Sequence, residues 1–280
     1  MPETSRDASR ETFRTLRVPA SSANLGPGFD ALGLALTAYV DLTLDGDPPA
    51  DESHLAVRTF RRAGGVGPVA VRSQVPGGRG LGFSAAARVA GLLGAAVQRR
   101  KPIVRVQADV LREATDLEGH ADNAVAAVHG GLIATAGGTF VRVPIAVEVA
   151  VVVWVPERET STKSSRGQLG TTVSFDDAVF NIGHAALMVA ALAAGDVAAL
   201  RVASEDRLHQ NVRLARVPDS HNALRTAVGA GAWCAFLSGS GPSIAALCAP
   251  GRAAEAVASA LAGNGRTMIL GIDHEGARQL

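Results

Sequence analysis

An α+β fold is predicted by two hydrophobic periods that interleave along the 280 residues without a strict strand–helix–strand rhythm. Two further observations support that class. Hydrophobic residues make up 47% of the chain and charged residues 19%, which suits a globular protein with a substantial core. Alternating and near-continuous apolar runs also share the chain with long Ala- and Leu-rich stretches of helical spacing.

The elements follow in order. Leu34 to Asp45 alternates in its second half and predicts a strand, and the turn-rich Asp47 to Ser53 ends it. Val57 to Ala63 suits a short helix. Val69 to Val75 alternates again until Pro76-Gly77-Gly78 stops it. Helical spacing returns over Ser84 to Arg99, over Val104 to Asp116 with Asp109 and Glu113, and over Ala121 to His129, where Gly130-Gly131 is a stop. Leu132 to Thr135 and Thr139 to Val143 predict a hairpin around Gly137-Gly138. Glu148 to Val155 (EVAVVVWV) is apolar nearly throughout, as in a strand buried on both faces. Pro156 opens a polar loop, the best candidate for a domain boundary. Helices are expected over Phe175 to Ala194, Val197 to His209, His221 to Ala230 and Arg252 to Ala262. Strands are expected at Cys234 to Leu237, Ile244 to Cys248 and Thr267 to Ile272. The implied organisation is a flexible tail over 1–16, an N-terminal domain over 17–155 and a C-terminal domain over 156–280.

Composition removes several function classes. A formal net charge of +1 argues against a dedicated nucleic-acid surface. Two cysteines, Cys234 and Cys248, make no disulfide framework, and a reducing cytoplasm is the expected setting. No apolar run reads as long enough to span a bilayer. Ala185 to Ala194 is the strongest, closed by Gly195 and Asp196, so no membrane association is expected. The seven histidines and two cysteines show no zinc spacing. The polar N-terminus lacks a signal-peptide core.

Three glycine-rich segments carry most of the chemistry. The first is RGLGFSAAAR, Arg79 to Arg88. A glycine loop entering a helix offers unpaired N–H groups and the positive end of a helix dipole to an anion. Its plainer reading is a loop with Ser84 as the helix N-cap. Gly80, Gly82 and Ala85 also match G-x-G-x-x-A, a dinucleotide fingerprint, but Pro76 to Arg79 separates them from the preceding strand. A P-loop is excluded, because neither Lys101 nor Lys163 follows a glycine. Phosphate would have to be met by backbone N–H groups, arginine and a metal ion. The second segment, VPASSANLGPGFDALGLAL (Val18 to Leu36), sets Asn24 and Asp30 around a Gly-Pro-Gly turn. An Asp there holds the turn or meets an ammonium group or hydroxyl of a small substrate. The third, LSGSGPS (Leu237 to Ser243), is either a tight hairpin or a second pocket wall.

Taken together and in this order, the three segments resemble the signature motifs of the GHMP small-molecule kinases (galactokinase, homoserine kinase, mevalonate kinase, phosphomevalonate kinase). Within that family the resemblance is nearest to the homoserine kinases. EGHADN (Glu118 to Asn123), STKSSR (Ser161 to Arg166), FNIGHAAL (Phe180 to Leu187) and DRLHQ (Asp206 to Gln210) extend it over about Val18 to Leu270. The resemblance implies an N-terminal domain like the second domain of ribosomal protein S5 and a ferredoxin-like C-terminal domain. It implies transfer of the γ-phosphoryl group of ATP, with Mg2+, to the side-chain hydroxyl of L-homoserine, giving O-phospho-L-homoserine for threonine biosynthesis. A homodimer is compatible with it, although no residue of the sequence points to one.

Site roles follow from the same resemblance. Pro76, Gly77, Gly78, Arg79, Gly80, Leu81, Gly82, Phe83, Ser84, Ala85 and Ala86 would form the ATP phosphate loop. Ser238, Gly239, Ser240 and Gly241 would face it. Ser84 would bind the magnesium ion together with Glu118, or alternatively Glu113. Asn24, Asp30, His120, Asn123, Arg166 and Arg213 would surround the amino acid, with Asp30 on the ammonium and the arginines on the carboxylate. Asn123, Ser84 and Arg166 would act in catalysis. Asn123 stands where mevalonate kinase-like members place an Asp base, so transfer without a dedicated carboxylate base is expected, with Asn123 orienting the hydroxyl. His120 could equally be a hydrogen-bonded core histidine, and Arg166 or Arg213 a solvated arginine. Three departures stand out: Phe83 for serine, Asn211-Val212 for Pro-Tyr, and Gly170 for proline. The Phe83 ring is expected to turn into the core and leave its backbone N–H for the ligand. The alternatives are a paralogue acting on another hydroxy compound, a nucleotide-binding protein without catalysis and, more remotely, a dinucleotide oxidoreductase.

Overall fold

A computed structural model of the chain describes residues 15–160, 162–263 and 265–280. The tail expected over 1–16 lies outside them except for Thr15 and Leu16, which open the first strand. Ser161 of the STKSSR motif also lies outside.

The described strands form two antiparallel sheets. In the first, β1 (Thr15–Ala23), β2 (Leu32–Leu44), β4 (Leu132–Ala136) and β5 (Thr139–Val143) run in the order β1-β2-β4-β5. β3 (Val69–Ser73) also pairs with β2, and β10 (Arg278–Gln279) pairs with β1. The second half of β2 alternates strictly: Ala38, Val40, Leu42 and Leu44 are buried, and Thr37, Tyr39, Asp41 and Thr43 are half-buried. That is the period-two pattern of a one-sided strand. The first half, Leu32 to Leu36, is buried throughout. There Ala35 and Ile133 pack on Val125 and Ala126 of α4 (Asp122–His129). The other helices of this part are α1 (Leu55–Arg62), α2 (Phe83–Gln98) and α3 (Ile103–Glu118). α2 packs on β1, β2 and α1.

The second sheet runs β7 (Cys234–Leu237), β8 (Ile244–Cys248), β6 (Ala150–Val155), β9 (Arg266–Leu270). The EVAVVVWV run is explained by β6, which is buried on both faces. Val151, Val153 and Val155 enter the main core, while Ala150, Val152 and Trp154 enter a second core. That second core draws in Ala223 and Ala227 of α9 (Pro218–Gly229) and Ala254 and Val257 of α10 (Arg252–Ala260). Sheet membership changes between Val143 and Ala150, ahead of Pro156, and β10 carries the C-terminus back to the first sheet.

Five elements depart from the sequence reading. β1 and β10 were not anticipated. The polar loop after Pro156 contains a short helix, α5 (Thr162–Arg166). Of the helix expected over Val197 to His209 only the short α7 (Leu200–Ala203) forms, and a second short helix, α8 (Gln210–Leu214), begins just beyond that span. Asp206 causes the break: its carboxylate accepts the N–H groups of Leu208, His209 and Gln210, which a continuous helix would give to carbonyls. Finally, α6 (Phe175–Ala194) is long and apolar enough, by length and composition alone, to cross a membrane, which the shorter run Ala185 to Ala194 did not suggest. One face of α6 is built into the fold, with Met188, Ala191 and Leu192 in the main core. Asn181 on that face donates to Pro27 O and Asp206.

Candidate active site

The phosphate-loop residues line one wall of a central cavity and lead into α2. Gly82 is the N-cap residue, with φ +66°, and no side chain caps the helix. Ser84 is therefore not the N-cap, and the first N–H groups of α2 are left for a ligand. The loop is seated by buried hydroxyls. Ser238 Oγ donates to Gly80 O at 2.7 Å and shares a 2.8 Å hydrogen bond with Ser22 Oγ. Gly80 has φ +75°, and a Cβ there would lie 2.2 Å from Ser238 O; at Gly82 it would lie 2.0 Å from Ser21 Oγ. Neither position has room for a side chain.

Not every expected loop residue faces the cavity. Gly77, Ala86, Ser238 and Gly241 do not line it. Ala86 starts the helical ladder by donating to Gly82 O, and Ser238 acts as the staple just described. Arg79 lines the cavity but spends its guanidinium on Gly77 O, Pro156 O, Glu157 O and the Glu159 carboxylate. It ties the loop to the segment after β6 rather than offering its charge to phosphate. The Phe83 ring meets His54 edge-on, with centroids 5.8 Å apart, and packs against the main core while the residue still borders the cavity. The expected inward turn is therefore partial. Asn211, Val212 and Gly170 do not line the cavity, so Phe83 is the one of the three departures that touches it.

Ser84 and Glu118 come together from the start of α2 and the end of α3. Ser84 Oγ donates to Glu118 Oε1 at 2.6 Å, and Arg88 pairs with the same oxygen. A hydroxyl and a carboxylate, both hard oxygen donors beside a phosphate loop, fit a magnesium ion. Glu113 does not line the cavity.

The opposite wall is built from charged side chains. Asn24 has φ +74°, accepts the N–H of Asp30 and donates to Gly239 O, so one amide holds the Gly-Pro-Gly turn against the β7–β8 turn. Asp30 takes both Arg166 guanidinium N–H groups, at 2.6 and 2.8 Å. Arg213 on α8 is 5% exposed; it donates to Gly239 O and His209 Nδ1, and its Nε has no partner. His209 is buried, so it is held below its ordinary value, and its Nε2 meets Gly26 O. A neutral His209 with Nε2–H leaves Nδ1 free to accept from Arg213. Burial and the nearby Arg166 lower Arg213 to about 10.

Three contributors were missed by the sequence reading. Asp122 is 2% exposed and lines the cavity. Its Oδ1 meets His120 Nδ1 at 2.8 Å and accepts from Asn123 N and Nδ2. That contact raises His120 above its ordinary 6.5. His120 is thus in the cavity wall, partnered by a carboxylate. Ser21 donates to Asn123 Oδ1 at 2.7 Å, so both ends of that amide are fixed. Phe29 sits beside both arginines, 5.1 Å from the Arg166 guanidinium and 5.4 Å from that of Arg213. The only available signal for these was adjacency to singled-out residues: Asp122 to Asn123, Phe29 to Asp30. Asp30, His120 and Asp122 also bring possible metal-ligand atoms within 4.8 Å of one another, but Arg166 already occupies both Asp30 oxygens.

Comparisons with known proteins bear on the family and the fold. Residues 53–131 match the family model of the GHMP kinases N terminal domain, and residues 188–267 match that of the GHMP kinases C terminal domain. The homoserine kinase of Leifsonia xyli subsp. xyli is 38% identical over 299 residues, covering 94% of this chain and 90% of that protein. The homoserine kinase of Thermus thermophilus is 37% identical over 282 residues, covering 92% and 95%. The crystal structure of homoserine kinase from Cytophaga hutchinsonii superposes with a TM-score of 0.82 at 23% identity over 99% of both chains. That of L. major mevalonate kinase in complex with R-mevalonate gives 0.71 at 16% identity, covering 98% of this chain and all of that one. These two structural likenesses speak for the fold.

Proposed function

The chain belongs to the homoserine kinases of the GHMP kinase family, and from that premise we propose how its central cavity moves the γ-phosphoryl group of ATP to L-homoserine. The product is O-phospho-L-homoserine, on the route to threonine. The observation that carries the reading is the convergence of two unlike walls on one cavity. A glycine loop with open helix N–H groups stands on one side, and an acid–arginine cluster that offers both signs of charge to a zwitterion stands on the other.

ATP phosphates would lie against the N–H groups at the start of α2, where the helix dipole favours negative charge. Ser84 and Glu118 would hold a magnesium ion. Bound there, it would neutralise charge on the phosphate oxygens. Asp30 would take the α-ammonium and the Arg166 and Arg213 guanidiniums the α-carboxylate, so the zwitterion would exchange partners with the Asp30–Arg166 pair. Asn123, fixed by Ser21 and Asp122, would orient the side-chain hydroxyl. Its oxygen forms the new O–P bond as the bridge between the β- and γ-phosphorus breaks. The hydroxyl proton would leave late, to the transferred phosphoryl group. Such a loose transition state needs positioning and charge neutralisation more than early deprotonation. A cytoplasmic setting is supported by the two cysteines, which are free and buried, with burial pushing Cys234 up to about 12 and Cys248 to about 11.

The test is a substrate panel: purified protein, magnesium ATP and a series of hydroxy amino acids and small alcohols, with ADP release followed. Release with homoserine is expected. Release only with another alcohol, or ATP binding without turnover on any of them, would overturn the reading.

A further inference from the structure

Behind the wall of the central cavity lies a second one of about 560 Å³. Thr160, Arg213 and Ser240 line both. The far side of the second cavity presents Arg158, Arg216, Ser164 and Gln168. The single acid in its lining, Glu159, is already paired with Arg79 at 3.0 Å. Arg158 and Arg216 are exposed, and among the described residues neither guanidinium has a hydrogen-bond or ion-pair partner. Exposed arginines alone would be solvated surface. Arg213 changes the argument, because it is buried and its Nε is unsatisfied. A buried donor left unpaired is costly, and three arginines lining one cavity with one neutralised acid leave an excess of positive charge. Guanidinium forks match the oxygens of phosphate, and the Ser164 hydroxyl and Gln168 amide add neutral donors.

We propose that this second cavity is an anion site that takes a phosphate group, free or carried on a small phosphomonoester, and that its occupant draws on Arg213 and so weakens homoserine binding. The site is distinct from the phosphate loop, which lies across Arg213 in the central cavity. Neither Arg158 nor Arg216 lines that cavity.

The experiment is steady-state kinetics of the whole protein at saturating magnesium ATP and constant ionic strength, with inorganic phosphate as the probe. Phosphate is expected to raise the homoserine KM with kcat held. The double variant Arg158→Gln/Arg216→Gln is expected to keep the basal kcat and KM and to need roughly tenfold more phosphate for the same effect, as the loss of charge-assisted hydrogen bonds predicts. O-phospho-L-homoserine forms a second arm. If its product inhibition weakens in the same variant, the site accepts the phosphomonoester; if phosphate inhibition alone weakens, it accepts the free ion. Three results would overturn the proposal: no effect of phosphate on KM, an effect that competes with ATP, or equal inhibition of parent and variant. A large basal loss in the variant would also overturn it, by placing these arginines in the catalytic machinery.

Discussion

One side of the central cavity would meet phosphate with main-chain N–H groups, and the other would meet an amino acid with charged side chains. The phosphate side is built from Gly78 to Ala85, contiguous in sequence and fixed by buried hydroxyls, that of Ser238 on Gly80 O and that of Ser22 on Ser238. The amino-acid side gathers Asp30, His120 with Asp122, Arg166 and Arg213 from four places in the chain and balances them against one another. The difference teaches that one ligand can be recognised by a rigid shape and the other by a set of exchangeable charges. The first plan fails when volume is added, the second when a charge is removed.

The largest effect expected is from Gly80→Ala. The new Cβ would press on Ser238 O from a left-handed backbone, costing about 2–5 kcal/mol of stability. Thermal unfolding should show the loss, and ATP affinity should fall with it. A variant of parental stability and parental ATP affinity would mean the loop is not rigid.

Asp30→Asn should come next. It removes one charge from the amino-acid side, so kcat/KM for homoserine should drop by roughly 10–100-fold while the KM for ATP stays put. An equal rise in both KM values would merge the two sides into one.

Ser84→Ala and Phe83→Ser separate the plans inside the loop itself. Loss of the Ser84 hydroxyl should lower kcat by roughly tenfold through weaker metal binding. Loss of the Phe83 ring should leave ATP affinity the same or higher and lower stability by about 1 kcal/mol, from its edge contact with His54. The reverse pattern would shift the loop alignment by one residue.

The smallest effect concerns His120. Its contact with Asp122 raises it above 6.5, so the folded state favours the protonated ring. The stabilisation is full below pH 6.5 and disappears as pH rises through the raised value. A pH profile of kcat/KM for homoserine should fall through that same window, and His120→Gln should flatten it. A profile unchanged by the substitution would remove His120 from the charge set.

This contrast also decided what could be read early. The glycines of RGLGFSAAAR mark a backbone site in any sequence, because positive φ and absent side chains are local needs. The α+β class, the hairpin at Gly137-Gly138 and the doubly buried strand at EVAVVVWV were legible for the same reason: each rests on a short period or a local turn. Asp122 and Phe29 were overlooked because nothing local sets a carboxylate or an aromatic ring apart until its distant partners are known. The break between α7 and α8 was hidden likewise, since Asp206 competes for backbone N–H groups through its side chain and leaves the hydrophobic period intact.

By itself, then, the sequence determined the class of fold, the glycine loop that enters α2 and, through ordered motifs, the family. Only the tertiary structure decided that Arg79 braces a loop instead of meeting phosphate, that Ser84 turns to Glu118 instead of capping its helix, and that Arg213 stands between two cavities. The physical reason is range. Backbone conformation is set by neighbours along the chain, whereas a charged side chain takes its role from whichever opposite charge or unpaired carbonyl the fold brings within about 3 Å of it.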